Sequence, residues 1–243
     1  MRYYLIIILF VLVSCGQSAN KKKHAKNSIQ EHGKNTELTL PQIEKNVDNL
    51  TSGKYDTIPK KGISIIFQEF KLLIDNIEVW DENGNLKRIQ GDTVKVSLDI
   101  GEMLRGNTIR IVNSSYDKIE IYQRYENSVT IMNEGPHCDM LNWKHYLSDW
   151  ETIKSTDNLE FEANSLTSEQ MERFTPVDLN DFKEAVNEHC GKKWADLIKE
   201  IKSVNDYPCG IGTSKIELKI VLTNSKTSNS VEKIIEFEIP MGC

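Results

Sequence analysis

Between Gly135 and Trp150 the chain reads GPHCDMLNWKHYLSDW, a run of sixteen residues that holds two His, one Cys, two Asp and two Trp. Two chemistries could use such a set. Cys138 could act as a thiolate nucleophile with His137, His145 or His189 as its base, because a thiolate needs a neighbouring base or cation. A metal could instead be held by His137, Cys138, Asp139, His145, His189 and Cys190. Adjacent Cys and His side chains seldom converge, and the spacing matches neither His-Glu-x-x-His nor paired Cys-x-x-Cys. The sequence therefore assigns no catalytic residue, no metal and no cofactor. The stronger reading is a structural corner, with Gly135-Pro136 as a turn, Cys138 as a crosslink, and Met140, Leu141, Trp143 and Tyr146 covering a core. Trp143, Tyr146 and Trp150 form the candidate binding surface, since Trp and Tyr are the usual anchors of interfaces.

Elsewhere there is no Gly-x-Ser-x-Gly, P-loop or Gly-x-Gly-x-x-Gly sequence. Asp81 to Asn85 with Asp92 has a calcium-loop look, but its Gly stands at position four and an Asp replaces the closing Glu, so a hairpin turn explains it better. The chain has 36 acidic residues, which leaves room for two carboxylates in a cleft, the minimum for glycoside hydrolysis.

Besides Cys15 there are Cys138, Cys190, Cys209 and Cys243, and four Cys permit three pairings. The C-terminal strands narrow the choice. Placing Leu218 opposite Ile235 and Ile216 opposite Phe237 puts both apolar faces on one side, and the same register carried past the open end brings Cys209 near Cys243. The expected bonds are Cys209 with Cys243 and Cys138 with Cys190.

The elements that must position these residues are strands, then helices, then strands. From residue 62 to 133, Ile65 to Phe67, Leu72 to Trp80, Val94/Val96/Leu98, Ile109/Ile111, Ile119/Ile121 and Val129/Ile131 alternate or cluster as strands do, with Asn83-Gly84 as a type I′ hairpin dipeptide. They predict an antiparallel meander with one buried and one wetted face. Thr167-Ser168-Glu169-Gln170 is a capping box. Asp178 caps a helix carrying Leu179, Phe182, Val186 and His189, Gly191 stops it, and Trp194, Leu197, Ile198 and Ile201 give a further apolar face. A hairpin closes the chain. The expected class is α+β, an antiparallel β-meander and a C-terminal β-hairpin with a central helical segment, crosslinked by disulfides.

The N-terminus speaks of location. Arg2 precedes an apolar run from Leu5 to Val13 that is too short to cross a hydrocarbon core of ~30 Å, as a secretory signal is. The run ends in Leu12-Val13-Ser14-Cys15, followed by Gly16. These residues resemble the lipobox of bacterial lipoprotein precursors. The resemblance covers the first sixteen residues and implies cleavage before Cys15 and lipidation of Cys15. Gly16, where an Asp would imply inner-membrane retention, implies the outer membrane. The following GQSANKKKHAKN is basic where Bacteroidota surface-export signals are acidic, which favours the periplasmic face over the cell surface. Asp56-Thr57-Ile58 and Asp92-Thr93-Val94 resemble the short O-glycosylation sites of Bacteroidota envelope proteins, although triplets this loose are common by chance.

The resulting plan is a signal peptide at 1–14, a lipidated Cys with a basic flexible linker at 15–36, a short helix and connecting segment at 37–61, and a single α+β domain at 62–243. The linker lacks apolar periodicity, and its ~22 residues span roughly 25 Å r.m.s.. Without Arg2 the chain holds 29 basic and 36 acidic side chains, a net −7. Residues 16–36 carry five Lys against Glu31, so the remainder is at −11. That balance argues against nucleic acid as a partner, because phosphate neutralisation needs a basic face on the folded part. A membrane reached through the Cys15 lipid and a protein partner of basic character are the interactions expected. The function expected is that of an envelope lipoprotein binding another macromolecule, most concretely an inhibitor or immunity-type protein against a toxin or hydrolase. The alternatives are an envelope hydrolase or carbohydrate-active enzyme with a carboxylate pair, and a structural envelope component.

Overall fold

The computed structural model describes residues 61–80, 86–112, 116–157 and 159–241. The lipobox, the linker, the expected helix near Pro41, the Asn83-Gly84 turn and Cys243 lie outside these residues. The described chain is mixed α and β and mostly strand.

Among the described residues, twelve strands form two sheets. The first sheet contains β1 (Gly62–Ile66), β2 (Lys71–Asp75), β3 (Leu86–Arg88), β5 (Thr108–Val112) and β10 (Glu160–Glu162), in the order β10-β5-β2-β1-β3. The second contains β4 (Thr93–Ser97), β6 (Lys118–Met132), β7 (His137–Asp139), β11 (Cys209–Asn224) and β12 (Asn229–Glu238), in the order β4-β12-β11-β6-β7. The short β8 (Tyr146–Leu147) and β9 (Glu151–Thr152) also pair with β6. Three helices, α1 (Ser168–Met171), α2 (Leu179–His189) and α3 (Lys192–Leu197), stand between β10 and β11.

The stretch from 62 to 133 is therefore no meander. β1 and β2 pair as neighbours, but β3 returns parallel to β1 and β4 joins the other sheet, parallel to β12. Apolar alternation fixes which residues face inward and leaves open which strand lies alongside. Here two inner faces close over one another, and the chain crosses to the second sheet at β4, back to the first at β5 and over again at β6. Ile63, Ile65, Leu72, Ile74, Ile109 and Ile111 from the first sheet bury against a core shared with Val94, Val96, Ile121, Ile216, Leu218, Ile220, Ile235 and Phe237 from the second.

The second sheet outruns the first, and its far end carries a separate core. β6 is fifteen residues long, and its odd positions all face one way. Ile121 and Tyr125 enter the sandwich core, whereas Val129 and Ile131 join a cluster with Met140, Phe182, Val186, Ile198 and Cys209 beneath the helices. β11 keeps pace only because its register shifts between Thr213 and Lys215. Beyond that bulge Thr213, Ile211 and Cys209 lie opposite Asn127, Val129 and Ile131, while before it Ile216 lies opposite Tyr125. One extra residue thus puts odd-numbered and even-numbered side chains of β11 on the same face.

A buried polar pin separates the two cores. Asn127 is fully buried; its amide donates to the carbonyls of Gln170 (2.7 Å) and Arg173 (2.9 Å), and its Oδ1 accepts from the Thr213 hydroxyl (3.0 Å). The helix starts follow the sequence. Thr167 and Gln170 form a reciprocal capping box on α1, Asp178 accepts from the amides of Asn180 and Asp181, and Gly191 takes φ 88° just beyond α2.

Candidate functional site

The Gly135–Trp150 segment hairpins back along β6 in short pieces. Met132 pairs with His137 and Ile131 with Cys138, then Asn127 with Tyr146 and Gln123 with Glu151. Cys138 forms a disulfide with Cys190 at the C-terminal cap of α2, so the thiol required by the nucleophilic and metal readings is consumed by a crosslink. The histidines scatter. His137 Nδ1 lies 2.9 Å from Asp139 Oδ1, which also accepts from Thr130. His145 Nε2 stands 4.0 Å from Glu126, and His189 lines a separate hollow with Met140, Asn142 and Trp143. Among the described residues no three His, Cys, Asp or Glu converge as metal ligands.

The three aromatics go to three places. Trp143 packs on Phe182 with ring centroids 5.1 Å apart, at the helical core. Tyr146 meets Tyr125 at 5.9 Å, with the Arg173 guanidinium 5.0 Å from its ring. Burial, then the neighbouring Tyr146, pushes the Tyr125 phenol above its ordinary value. Trp150 alone lies over the wetted face of the second sheet, 4.3 Å from the Arg124 guanidinium and 4.8 Å from the Lys219 ammonium. Lys219 also stands 4.9 Å over Tyr122.

That face is densely charged, with both signs present. Across the strands from β4 to β6, one row runs Lys95, Glu236, Glu217, Arg124, and the next runs Ser97, Glu238, Lys215, Glu126. Arg124 pairs with Glu217 at 2.6 Å, Lys215 with Glu126 at 3.1 Å, and Lys95 with Glu236 and Glu238 at 3.4 and 3.5 Å. The charge of Glu236, its hydrogen bond and then Glu238 hold the Lys95 ammonium above its ordinary value. Ser214, the residue the bulge sets aside, donates to Glu126 Oε1 at 3.3 Å and shares a 2.9 Å hydrogen bond with Ser128.

The second row lines a groove of about 440 Å³, together with Lys95, Ser214, Leu141, Asn142, Ile239 and Pro240. Leu141 is exposed. The strands thus bring together Glu126, Ser214, Lys215, Glu238 and Lys95, none of which the sequence reading singled out. Their signal was present as a polar residue at every second position, Arg124-x-Glu126 and Lys215-x-Glu217-x-Lys219, which is how a wetted strand face reads.

The expected partner of Cys209, Cys243, lies outside the described residues. Cys209 is buried beside Val129 and Ile131 with a free thiol among the described residues, and burial pushes that thiol up to about 12. The C-terminal hairpin does adopt the expected register, with Leu218 opposite Ile235 and Ile216 opposite Phe237. The chain continues along β11, and Met241 Cε lies 3.3 Å from where a side chain on Gly212 would begin.

Compared with protein-family models, with curated proteins and with solved structures, the chain matches none of them.

Proposed function

We propose that this protein is a lipid-anchored envelope protein, held by Cys15 to the periplasmic face of the outer membrane, that binds another macromolecule through the wetted face of its larger sheet. Its most concrete form is an inhibitor or immunity-type lipoprotein acting on a toxin or hydrolase. The observation that carries the reading is the pairing of a lipobox at residues 12–15 with a sheet face that presents Trp150 on a bed of Arg124 and Lys219. Aromatic and Arg side chains are the residues that most often anchor interfaces. The net −11 of the chain beyond its linker would speed encounter with a basic partner.

Two experiments test the two halves. Cys15→Ala should move the protein from the membrane fraction to the soluble fraction and abolish incorporation of labelled fatty acid; retention of either would reject the anchor. Affinity capture from its own envelope should yield one partner in fixed proportion, and Trp150→Ala should release it.

A second reading, hydrolysis by a carboxylate pair, is favoured by Glu126 and Glu238 lining one groove two strands apart, roughly 10 Å between backbones. Against it, each carboxylate already holds a lysine. Cleavage of envelope glycans that is lost in both Glu126→Gln and Glu238→Gln would establish this reading over the first.

A further inference from the structure

The outer face of the first sheet is buried where a bare face would be wet. Its inward residues are Ile63, Ile65, Leu72, Ile74, Ile109 and Ile111, so by alternation Ser64, Leu73 and Arg110 point away from the core. Across the strands these outward positions run Leu86, Ser64, Leu73, Arg110, Glu160. Ser64 and Leu73 are nonetheless 0% exposed, and Leu73 belongs to neither core cluster of the described residues. The Ser64 hydroxyl is buried with no hydrogen-bond partner among the described residues. Ser64 is too small to shield Leu73 on one side, and Arg110 on the other is held by Asp75 at 2.7 Å. On the wetted face of the second sheet, by contrast, Val221 and Ile234 stand on inner strands and keep part of their surface exposed.

We infer that the chain immediately before β1 docks on this face, with Ile43, Val47 and Leu50 of the expected helix laid over Leu86, Ser64 and Leu73. The three apolar residues recur at i, i+4 and i+7, one stripe of a helix, and span roughly 10 Å at the helical rise. Leu86, Ser64 and Leu73 stand on β3, β1 and β2, two strand spacings or roughly 10 Å across. Leu86, on the edge strand, is 37% exposed, as the end of a short layer leaves it. Glu44, Lys45 and Asp48 fall between the apolar positions, so the far side of the helix is polar and suits solvent. Thr51 to Lys61 then supplies eleven residues, up to roughly 36 Å of chain, to reach Gly62. This segment is the occupant because it is joined to β1. Consecutive elements usually lie side by side, and a short tether raises the effective concentration far above that of a second copy or an envelope protein in solution. Residue 41 then lies on the side of the sandwich away from Trp150, which leaves the charged face clear of the chain that leads to Cys15.

The test is limited trypsin digestion of the full chain, read by mass spectrometry, with cleavage after Lys34 in the linker as the internal reference. Cleavage after Lys45 is expected to be at least roughly tenfold slower than after Lys34, since a docked helix must open before it is cut. Val47→Asp should bring cleavage after Lys45 up to the Lys34 rate, and Val47→Leu should not. Leu73→Thr changes only the sheet side and should speed cleavage after Lys45 at least roughly threefold, while the Leu218 and Ile220 amides stay protected from hydrogen exchange. A diazirine amino acid at position 47 identifies what the segment touches. The expected photoadduct lies within one chain and joins position 47 to a peptide holding Ser64, Leu73 or Leu86. Equal cleavage after Lys45 and Lys34 in the native chain would overturn the assignment, as would cleavage after Lys45 that neither Val47→Asp nor Leu73→Thr moves. An adduct joining two copies would give the face to a second chain, and one joining an envelope protein would give it to a partner; either, or no adduct with the first sheet, overturns the docking of this segment. None of these readouts depends on whether Trp150 holds a partner.

Discussion

Breaking the Cys138–Cys190 bond is expected to act on the helical core and to spare the sandwich. The two half-cystines are 52 residues apart, so oxidation removes from the unfolded chain a loop entropy worth about 4 kcal/mol at 25 °C. On the folded side the bond joins β7, which pairs only with the tip of β6, to the cap of α2. Without it the helices are held by Phe182, Val186, Ile198 and their neighbours, a cluster much smaller than the sandwich core. The Cys138→Ser/Cys190→Ser protein should therefore lose about 3–4 kcal/mol in urea unfolding. It should also expose its Phe182 and Val186 amides to hydrogen exchange while those of Leu218 and Ile220 stay protected. A loss below about 1 kcal/mol would refute the entropic argument, and an unreduced peptide map linking Cys138 to any residue other than Cys190 would refute the connectivity.

The buried pin is a second target. Asn127→Ala removes one hydrogen bond each from the Gln170 carbonyl, the Arg173 carbonyl and the Thr213 hydroxyl and should cost about 3 kcal/mol in thermal or urea unfolding, whereas a cost near zero would mean water replaces the amide. Lys233 is 5% exposed and bridges Asp92 at 2.7 Å and Glu69 at 3.2 Å. Burial pulls its ammonium down, but the hydrogen bonds to Asp92 and Glu69 and their charges outweigh this and leave it above 10.5. Because the folded state holds that proton more tightly, the contribution is complete below pH 10.5 and fades as pH climbs through the raised value. Lys233→Met should thus cost about 1–2 kcal/mol at neutral pH, reduced by the exposure of Asp92, with a gap to the native protein that narrows in alkaline unfolding. Cys209, with its thiol near 12 and its side chain buried, should resist iodoacetamide at pH 8 until denaturant is added, and rapid native alkylation would contradict its place in the core.

What the sequence made legible was local. Caps at Thr167 and Asp178, the stop at Gly191 and the register of the final hairpin are each decided within a few residues or across one turn, and each stands where the pattern put it. The Cys138–Cys190 bond was reachable as one of three pairings. The sandwich was not legible, because alternation along β1 to β6 is the same whether neighbours pair in order or cross between sheets. Nor was the groove, whose charged floor arises from pairing β6 with β11, some ninety residues later, through a bulge at Ser214 that no composition signal marks. Trp143, Tyr146 and Trp150 share a short stretch of sequence, yet the chain is broken there into the short strands β8 and β9 with Trp143 and Trp150 outside them, and of the three only Trp150 reaches the charged face.

The most direct test of the binding account is photocrosslinking from position 150 of the full-length protein in its own cells, with a benzophenone amino acid at that position and a control at Thr108 on the first sheet. The account expects a single discrete adduct from position 150 and none from position 108, with the adduct lost when Lys219 and Arg124 are neutralised. Adducts from position 108 alone, or none from position 150 while the protein remains folded and membrane-bound, would contradict it.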